Sequence, residues 1–489
     1  MPPSICLRSF SQLSLDRSVH SLASRSRLSP HAACFSTSAA RFANPSPKKG
    51  RVVAPPKRGQ KTLNVKRGRK DPQGDVGKRP APGERKAQRK RIVLRNDNAL
   101  EVTALHDMAK ATILSGLDEG RVLGIPENVV DALRAVEAFK PTQGWGLFWR
   151  PATLMRKETI QMAGLLKEVE ESEEGQKKTI RRVLSGERLG GKSTLLLQGL
   201  TMAFLRNWVV INLPEGITDY PAAQDITNAH TEYAPLPGSQ PTQYFQETYT
   251  ANLLAQTLKA NEPVLESINV TTNPSLPLPL PANATLKQLV ELGAVNPEAS
   301  WPVFLALWEE LSVSGRPSIL FALDGLSHIM KDSDYLSAEV KPIHAHDLTL
   351  IRHFIDCLSG QKSLPNGGVI LAATSRSNCP SSSALEHSIQ VAEQLQRDPN
   401  NLLHYNPYKK VDQRVMDALK DLRDPEAKGL DVIKVGGLSK DEARSIMEYY
   451  AESGMLRAKV DDGFVSEKWS LAGMGNIGEL ERASVRQRI

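Results

Sequence analysis

Ser185-Gly-Glu-Arg-Leu-Gly-Gly-Lys-Ser-Thr194 decides how this chain is read. It is a GxxxxGKS segment, preceded by Thr179-Ile-Arg-Arg-Val-Leu184 and followed by the apolar run Leu195-Leu-Leu-Gln-Gly-Leu-Thr-Met-Ala-Phe204. That order predicts a strand, a phosphate-binding loop and a helix. Glycines let the backbone curl until its N–H groups converge on a phosphate, and the helix N-terminus adds its dipole. On this reading Gly186, Glu187, Arg188, Leu189, Gly190, Gly191, Lys192, Ser193 and Thr194 form a nucleotide cradle. Lys192 reaches the β- and γ-phosphates and the Ser193 hydroxyl ligates magnesium. Leu189 stands where glycine is common, with Gly190 displaced by one.

A loop of this kind calls for a second strand ending in an acid, and Ser318-Ile-Leu-Phe-Ala-Leu-Asp324 supplies one. Buried parallel strands read as unbroken apolar runs. An acid at the C-terminal end of such a strand lies beside the phosphates, so Asp324 is the second magnesium ligand. The next residue is Gly325, where hydrolysing members of this broad class carry a water-polarising glutamate. That difference predicts slow hydrolysis or none, and no catalytic residue is assigned. Trp208–Asn212, Gly368–Thr374 and Val432–Val435 read as further strands, and Thr374 and Ser375 are candidate sensors of a γ-phosphate. Ser439 and Glu442 have capping-box spacing ahead of a helix from Ala443. Helices are also expected over 124–139, 154–171, 244–260 and 347–358, and Trp469–Arg482 reads as the last helix of a small lid. The expected fold is α/β: a P-loop (AAA+-like) parallel sheet flanked by helices, with a C-terminal helical lid behind a basic, disordered leader.

The charge is unevenly spread. Of 62 Lys and Arg, 23 lie in the first 100 residues, against 5 of the 54 Asp and Glu, so an acidic body follows a basic leader. Residues 1–40 are Arg- and Ser-rich and poor in acid, the composition of a mitochondrial transit peptide. Residues 41–100 form a basic extended arm; the stretch 47–95 lacks aromatic residues, which suits phosphate neutralisation along RNA rather than base stacking. Residues 101–175 read as a helical region, 176–430 as the α/β domain with an insertion at 222–300, and 431–489 as the final strand and lid. Within the insertion, Asn273-Pro-Ser-Leu-Pro-Leu-Pro-Leu-Pro-Ala282 predicts an extended polyproline strut. His344 and His346 are expected on a surface loop, and the four cysteines, Cys6, Cys34, Cys357 and Cys379, form no disulfide framework or metal knuckle. No run of 18 apolar residues is present, so no membrane-spanning helix is expected.

Taken in order, GERLGGKS (186–193), Trp208-Val-Val-Ile-Asn-Leu-Pro214, Leu320-Phe-Ala-Leu-Asp-Gly325, Gly367-Gly-Val-Ile-Leu-Ala-Ala373 and Ile446-Met-Glu-Tyr-Tyr450 resemble the death-associated protein 3 family. The resemblance is to a fungal member and spans roughly residues 145–489. It implies a small-subunit mitochondrial ribosomal protein of the matrix, sited in the subunit head against rRNA and neighbouring mitoribosomal proteins. It also implies a purine nucleotide, GTP or ATP, with magnesium. The family is associated with guanine nucleotides, but the chain has no NKxD or TKxD guanine-reading tetrapeptide. The rival expectation is a mitochondrial AAA+-type ATPase or GTPase that cycles through hydrolysis.

Overall fold

The computed structural model describes residues 92–110, 118–173, 177–214, 226–229, 231–272, 274–281, 283–376, 381–398, 403–424 and 429–486. Residues 1–40, expected to be a transit peptide, nearly all of the expected basic arm (41–100), and Cys6, Cys34 and Cys379 lie outside them. The described residues belong to one compact unit, which runs from Ala81 to Ile489.

Its centre is a five-stranded sheet of β1 (Thr179–Gly186), β2 (Val209–Leu213), β3 (Ile319–Asp324), β4 (Gly368–Ala373) and β5 (Leu430–Val435). The strand order is β5-β1-β4-β3-β2, and every neighbouring pair is parallel. Alternate side chains feed two cores, as strand geometry requires. Ile319, Phe321 and Leu323 face one apolar cluster, while Leu320 and Ala322 face the other. All six β3 residues are buried, which is why the strand reads as a continuous apolar run.

One face is covered by α1 (Glu127–Ala135), α2 (Lys157–Glu171) and α3 (Lys192–Phe204). The other is covered by α4 (Glu247–Glu266), α5 (Leu286–Val295), α6 (Ser300–Ser312), α7 (Thr349–Leu358) and α8 (Ser383–Leu395). Helices α4 and α5 come from the 222–300 insertion, which therefore supplies core rather than decoration. Helix α4 is kinked at Asn261 (φ −111°), two residues before Pro263. The kink frees the Asn261 side chain to accept from Val210 N (2.8 Å) and donate to Val210 O (2.9 Å). Those groups belong to β2, an end strand of the sheet, so a side chain closes an edge that would otherwise expose backbone donors and acceptors. The Pro-Leu repeat bends at Pro277 and Leu278 instead of running as a straight strut, with Leu276, Leu278 and Leu280 partly buried against the core. Its start is held by Glu310, whose buried carboxylate accepts from Thr271 N (2.7 Å) and Thr272 Oγ1 (2.6 Å).

A third cluster joins α9 (Lys440–Glu452), α10 (Asp462–Leu471) and α11 (Ile477–Ser484) to Leu154 and Phe148. Phe148 stacks on Tyr450 at 5.4 Å. Ser439 and Glu442 form the capping box at the start of α9.

Three local expectations are corrected. Leu154 lies in a short strand, Ala152–Leu154, paired with Val122–Gly124, and α2 starts only at Lys157. The stretch 469–482 is two helices, because Gly473, Met474 and Gly475 take left-handed backbone angles (φ 64°, 62° and 94°) that end α10. His344 and His346 are buried, not on a surface loop: His344 Nε2 lies 3.0 Å from Asp412 Oδ2, and its Nδ1 accepts from His346 N (3.1 Å). Among the described residues no cluster of three or more His, Cys, Asp or Glu could hold a metal, and no helix is long and apolar enough to cross a membrane.

Candidate nucleotide site

Strand β1 ends at Gly186 and α3 begins at Lys192, so the segment between them is a tight loop at the C-terminal edge of the sheet. Gly191, at φ 95°, caps the helix in a conformation that favours glycine. Leu189 is also left-handed, at φ 61°. A side chain there costs about 1–2 kcal/mol, and neighbouring contacts hold it. Gly478 N, in α11, donates to Leu189 O (3.1 Å), and Asn476 Nδ2 donates to Arg188 O (2.8 Å). A Cβ on Gly478 would meet Leu189 Cβ at 2.7 Å, so only glycine lets the lid approach this closely.

The remaining loop carbonyls are engaged as well. Lys192 Nζ donates to Gly186 O (3.0 Å) and Glu187 O (2.6 Å), Arg156 Nη1 to Gly190 O (3.0 Å), and Leu195 N to Gly191 O (2.9 Å). Each N–H of a trans peptide points away from the carbonyl of the same unit. Tying the carbonyls from Gly186 to Gly191 therefore turns the loop's N–H groups the opposite way, with the Gly190 N–H itself spent on Glu187 O (3.3 Å). Arg156 also donates to Gly436 O (2.7 Å), just beyond β5, and so straps the loop to the sheet edge.

We expect Arg156→Ala to lose about 2–4 kcal/mol in urea unfolding, since two carbonyls lose a charged donor at once. Arg156→Lys should restore little, because a lysine cannot present a fork to both carbonyls. A loss below about 0.5 kcal/mol, the size of an ordinary surface change, would show that the strap is not structural.

The other expected site residues gather around this loop. Strands β3 and β4 carry Asp324 and Thr374 to the same sheet edge. A cleft of 840 Å³ opens there, lined by Gly186, Glu187, Thr374, Ser375, Arg376 and Asn476 among others. That volume is in the range of small-molecule sites. Thr374 donates its N–H and its hydroxyl to Leu184 O (3.0 Å each), which fixes it beside β1 with oxygen lone pairs still able to accept. Gly325 sits at φ 88°, so a glutamate at this point of the backbone would be strained.

Lys140 is the residue that no motif announces. Its ammonium lies 2.5 Å from Asp324 Oδ2 and donates to Ser193 Oγ (3.0 Å). Ser193 and Asp324 are the donor types magnesium takes, yet a cation of the chain's own lies between them. The residues therefore do not fit a magnesium ion while Lys140 holds this position. Arg156, Asn476 and Gly478 were equally silent in the sequence, because each acts on the loop from a distant part of the chain.

A family model described as mitochondrial ribosomal death-associated protein 3 matches residues 153–483. The chain belongs to this family. It is 46% identical over 414 residues to the small ribosomal subunit protein mS29 of Neurospora crassa, with 84% of each chain covered. It is 23% identical over 375 residues to the protein of the same name in Schizosaccharomyces pombe, covering 75% of this chain and 72% of that one. Membership of the death-associated protein 3 family, which is mitochondrial and ribosomal, places this protein in the mitochondrial matrix.

Proposed function

We propose that the protein is a structural component of the mitochondrial small ribosomal subunit that holds a purine nucleotide, GTP or ATP, in the 186–194 loop. Its assignment to the small subunit rests on likeness to the two mS29 proteins. The nucleotide rests chiefly on one observation: a GxxxxGKS loop whose carbonyls from Gly186 to Gly191 are all tied, beside a cleft containing Thr374 and Ser375. The strand order β5-β1-β4-β3-β2 supports an AAA+-like P-loop architecture. Gly186 to Thr194 cradle the phosphates, and Thr374 or Ser375 faces the terminal one. Magnesium on Ser193 and Asp324 belongs to this reading only in a state from which Lys140 has withdrawn. The bound nucleotide stabilises the body by linkage, and the basic residues of 41–100 contact small-subunit rRNA alongside neighbouring mitoribosomal proteins. Gly325, in place of a glutamate, favours a fixed ligand over a hydrolytic cycle.

Sedimentation of mitochondrial lysate through a sucrose gradient tests both halves of this reading. The expected result is co-migration with the small ribosomal subunit, and recovery of intact triphosphate from the purified protein in that fraction. Migration as a free monomer or ring, with diphosphate recovered, would replace it with the cycling enzyme.

A further inference from the structure

We propose that Lys140 is the site's resident cation: its ammonium takes the place of the divalent ion between Ser193 and Asp324, so that the purine nucleotide binds without magnesium. The inference rests on the nucleotide reading above and specifies how that site balances its charge.

Three observations carry it. The ammonium contacts both oxygens a magnesium ion would use, at 2.5 Å from Asp324 Oδ2 and 3.0 Å from Ser193 Oγ. The pair is largely out of water, with side-chain exposures of 15% for Lys140 and 8% for Asp324, so the attraction is weakly screened. Asp324 Oδ1 is buried without a hydrogen-bond partner, which leaves the carboxylate reliant on this one cation. Removing the ammonium from this contact leaves the buried Asp324 carboxylate unpaired, and that is strongly unfavourable. A divalent ion entering here must displace the ammonium from both Asp324 and Ser193.

Lys140 is also held in place from behind. Its backbone N–H donates to Gln143 Oε1 (2.9 Å), which accepts from Trp145 Nε1 (2.5 Å) as well. The Trp145 ring packs edge-on against Phe139 at 5.2 Å. The tether is thus a buried aromatic corner built around the residue that delivers the charge. Lys192 and Lys140 then bracket the loop from two sides, one on the Gly186 and Glu187 carbonyls and one on Ser193 and Asp324. Two ammonium groups of the chain thus lie at the loop, each engaged with oxygens of the protein, before any ion is recruited.

The test is equilibrium binding of GTP and of ATP to the full chain, each measured in magnesium and in excess EDTA. For wild type, affinity for the better nucleotide should change less than about 3-fold between the two conditions. Lys140→Met should lose on the order of 10-fold or more in EDTA and recover most of it when magnesium is restored. A wild-type protein that itself loses 10-fold or more in EDTA overturns the proposal while leaving the nucleotide site intact. That arm needs no variant and so does not depend on Lys140→Met folding. Failure of wild type to bind either nucleotide in either condition would instead remove the underlying nucleotide reading, and the resident-cation proposal with it.

Discussion

Lys192→Ala should lower nucleotide affinity by on the order of 100-fold, about 3 kcal/mol, because it deletes a buried charged donor at the phosphates. The lysine is 7% exposed, and its ammonium already lies over the loop, on the Gly186 and Glu187 carbonyls. Turning from those carbonyls to phosphate oxygens is a short exchange of acceptors, so the position suits the role assigned to it. A second readout follows by linkage. Nucleotide at 100 times its Kd stabilises a folded protein by about 2.7 kcal/mol, and the variant should lose that increment in a thermal scan. The RNA binding proposed for residues 47–95 should be unchanged, since that stretch carries its own charge. Equal nucleotide affinity in wild type and Lys192→Ala would remove the phosphate cradle.

Acid should destabilise the protein before its carboxylates titrate. Burial lowers His346 to about 3, helped by the nearby His344 charge, and burial lowers His353 to about 3, helped by Lys362. His353 is enclosed by aromatic rings, with Trp308 at 4.3 Å, and its Nδ1 accepts from Lys362 Nζ (3.1 Å). Both imidazoles are therefore neutral when folded, while the unfolded chain takes up protons below the ordinary histidine value of 6.5. The stability they confer is complete above that value and is lost as pH falls from 6.5 towards 3. At pH 5 the loss amounts to about 2 kcal/mol for each histidine. Urea midpoints at pH 7, 6 and 5 measure it, and His353→Phe, which keeps an aromatic ring in the cluster, should remove about half of the fall. A midpoint that does not move between pH 7 and 5, or that moves equally in the variant, would show that these histidines are not the acid-sensitive groups.

The clearest parts of the fold in the sequence were those with local causes. A strand buried on both faces must be apolar throughout, so Ile319–Asp324 and Gly368–Ala373 announced themselves. Ser439 and Glu442 satisfy each other's backbone three residues apart, which is visible as spacing alone. Where local signals compete, sequence pattern misleads. Gly473 and Gly475 flank Met474, and apolar periodicity on either side masked the turn they make. His344 and His346 looked like surface residues because their partner, Asp412, stands 68 positions beyond His344.

By itself, the sequence determined the strand–loop–helix unit at 179–204, the acid-ended strand at Asp324, the parallel α/β class and the family. The first two rest on residue types within a few positions of one another, where backbone geometry and burial leave few alternatives, and the class and the family rest on the order in which such local motifs follow along the chain. Only the tertiary structure decided what surrounds the loop. Lys140 reaches Ser193 and Asp324 from another element, Arg156 ties Gly190 to Gly436, and Asn476 and Gly478 close over Arg188 and Leu189 from the C-terminal lid. Those contacts join positions from 34 to nearly 290 residues apart. Packing of whole helices and strands sets them, so no short pattern in the chain records them.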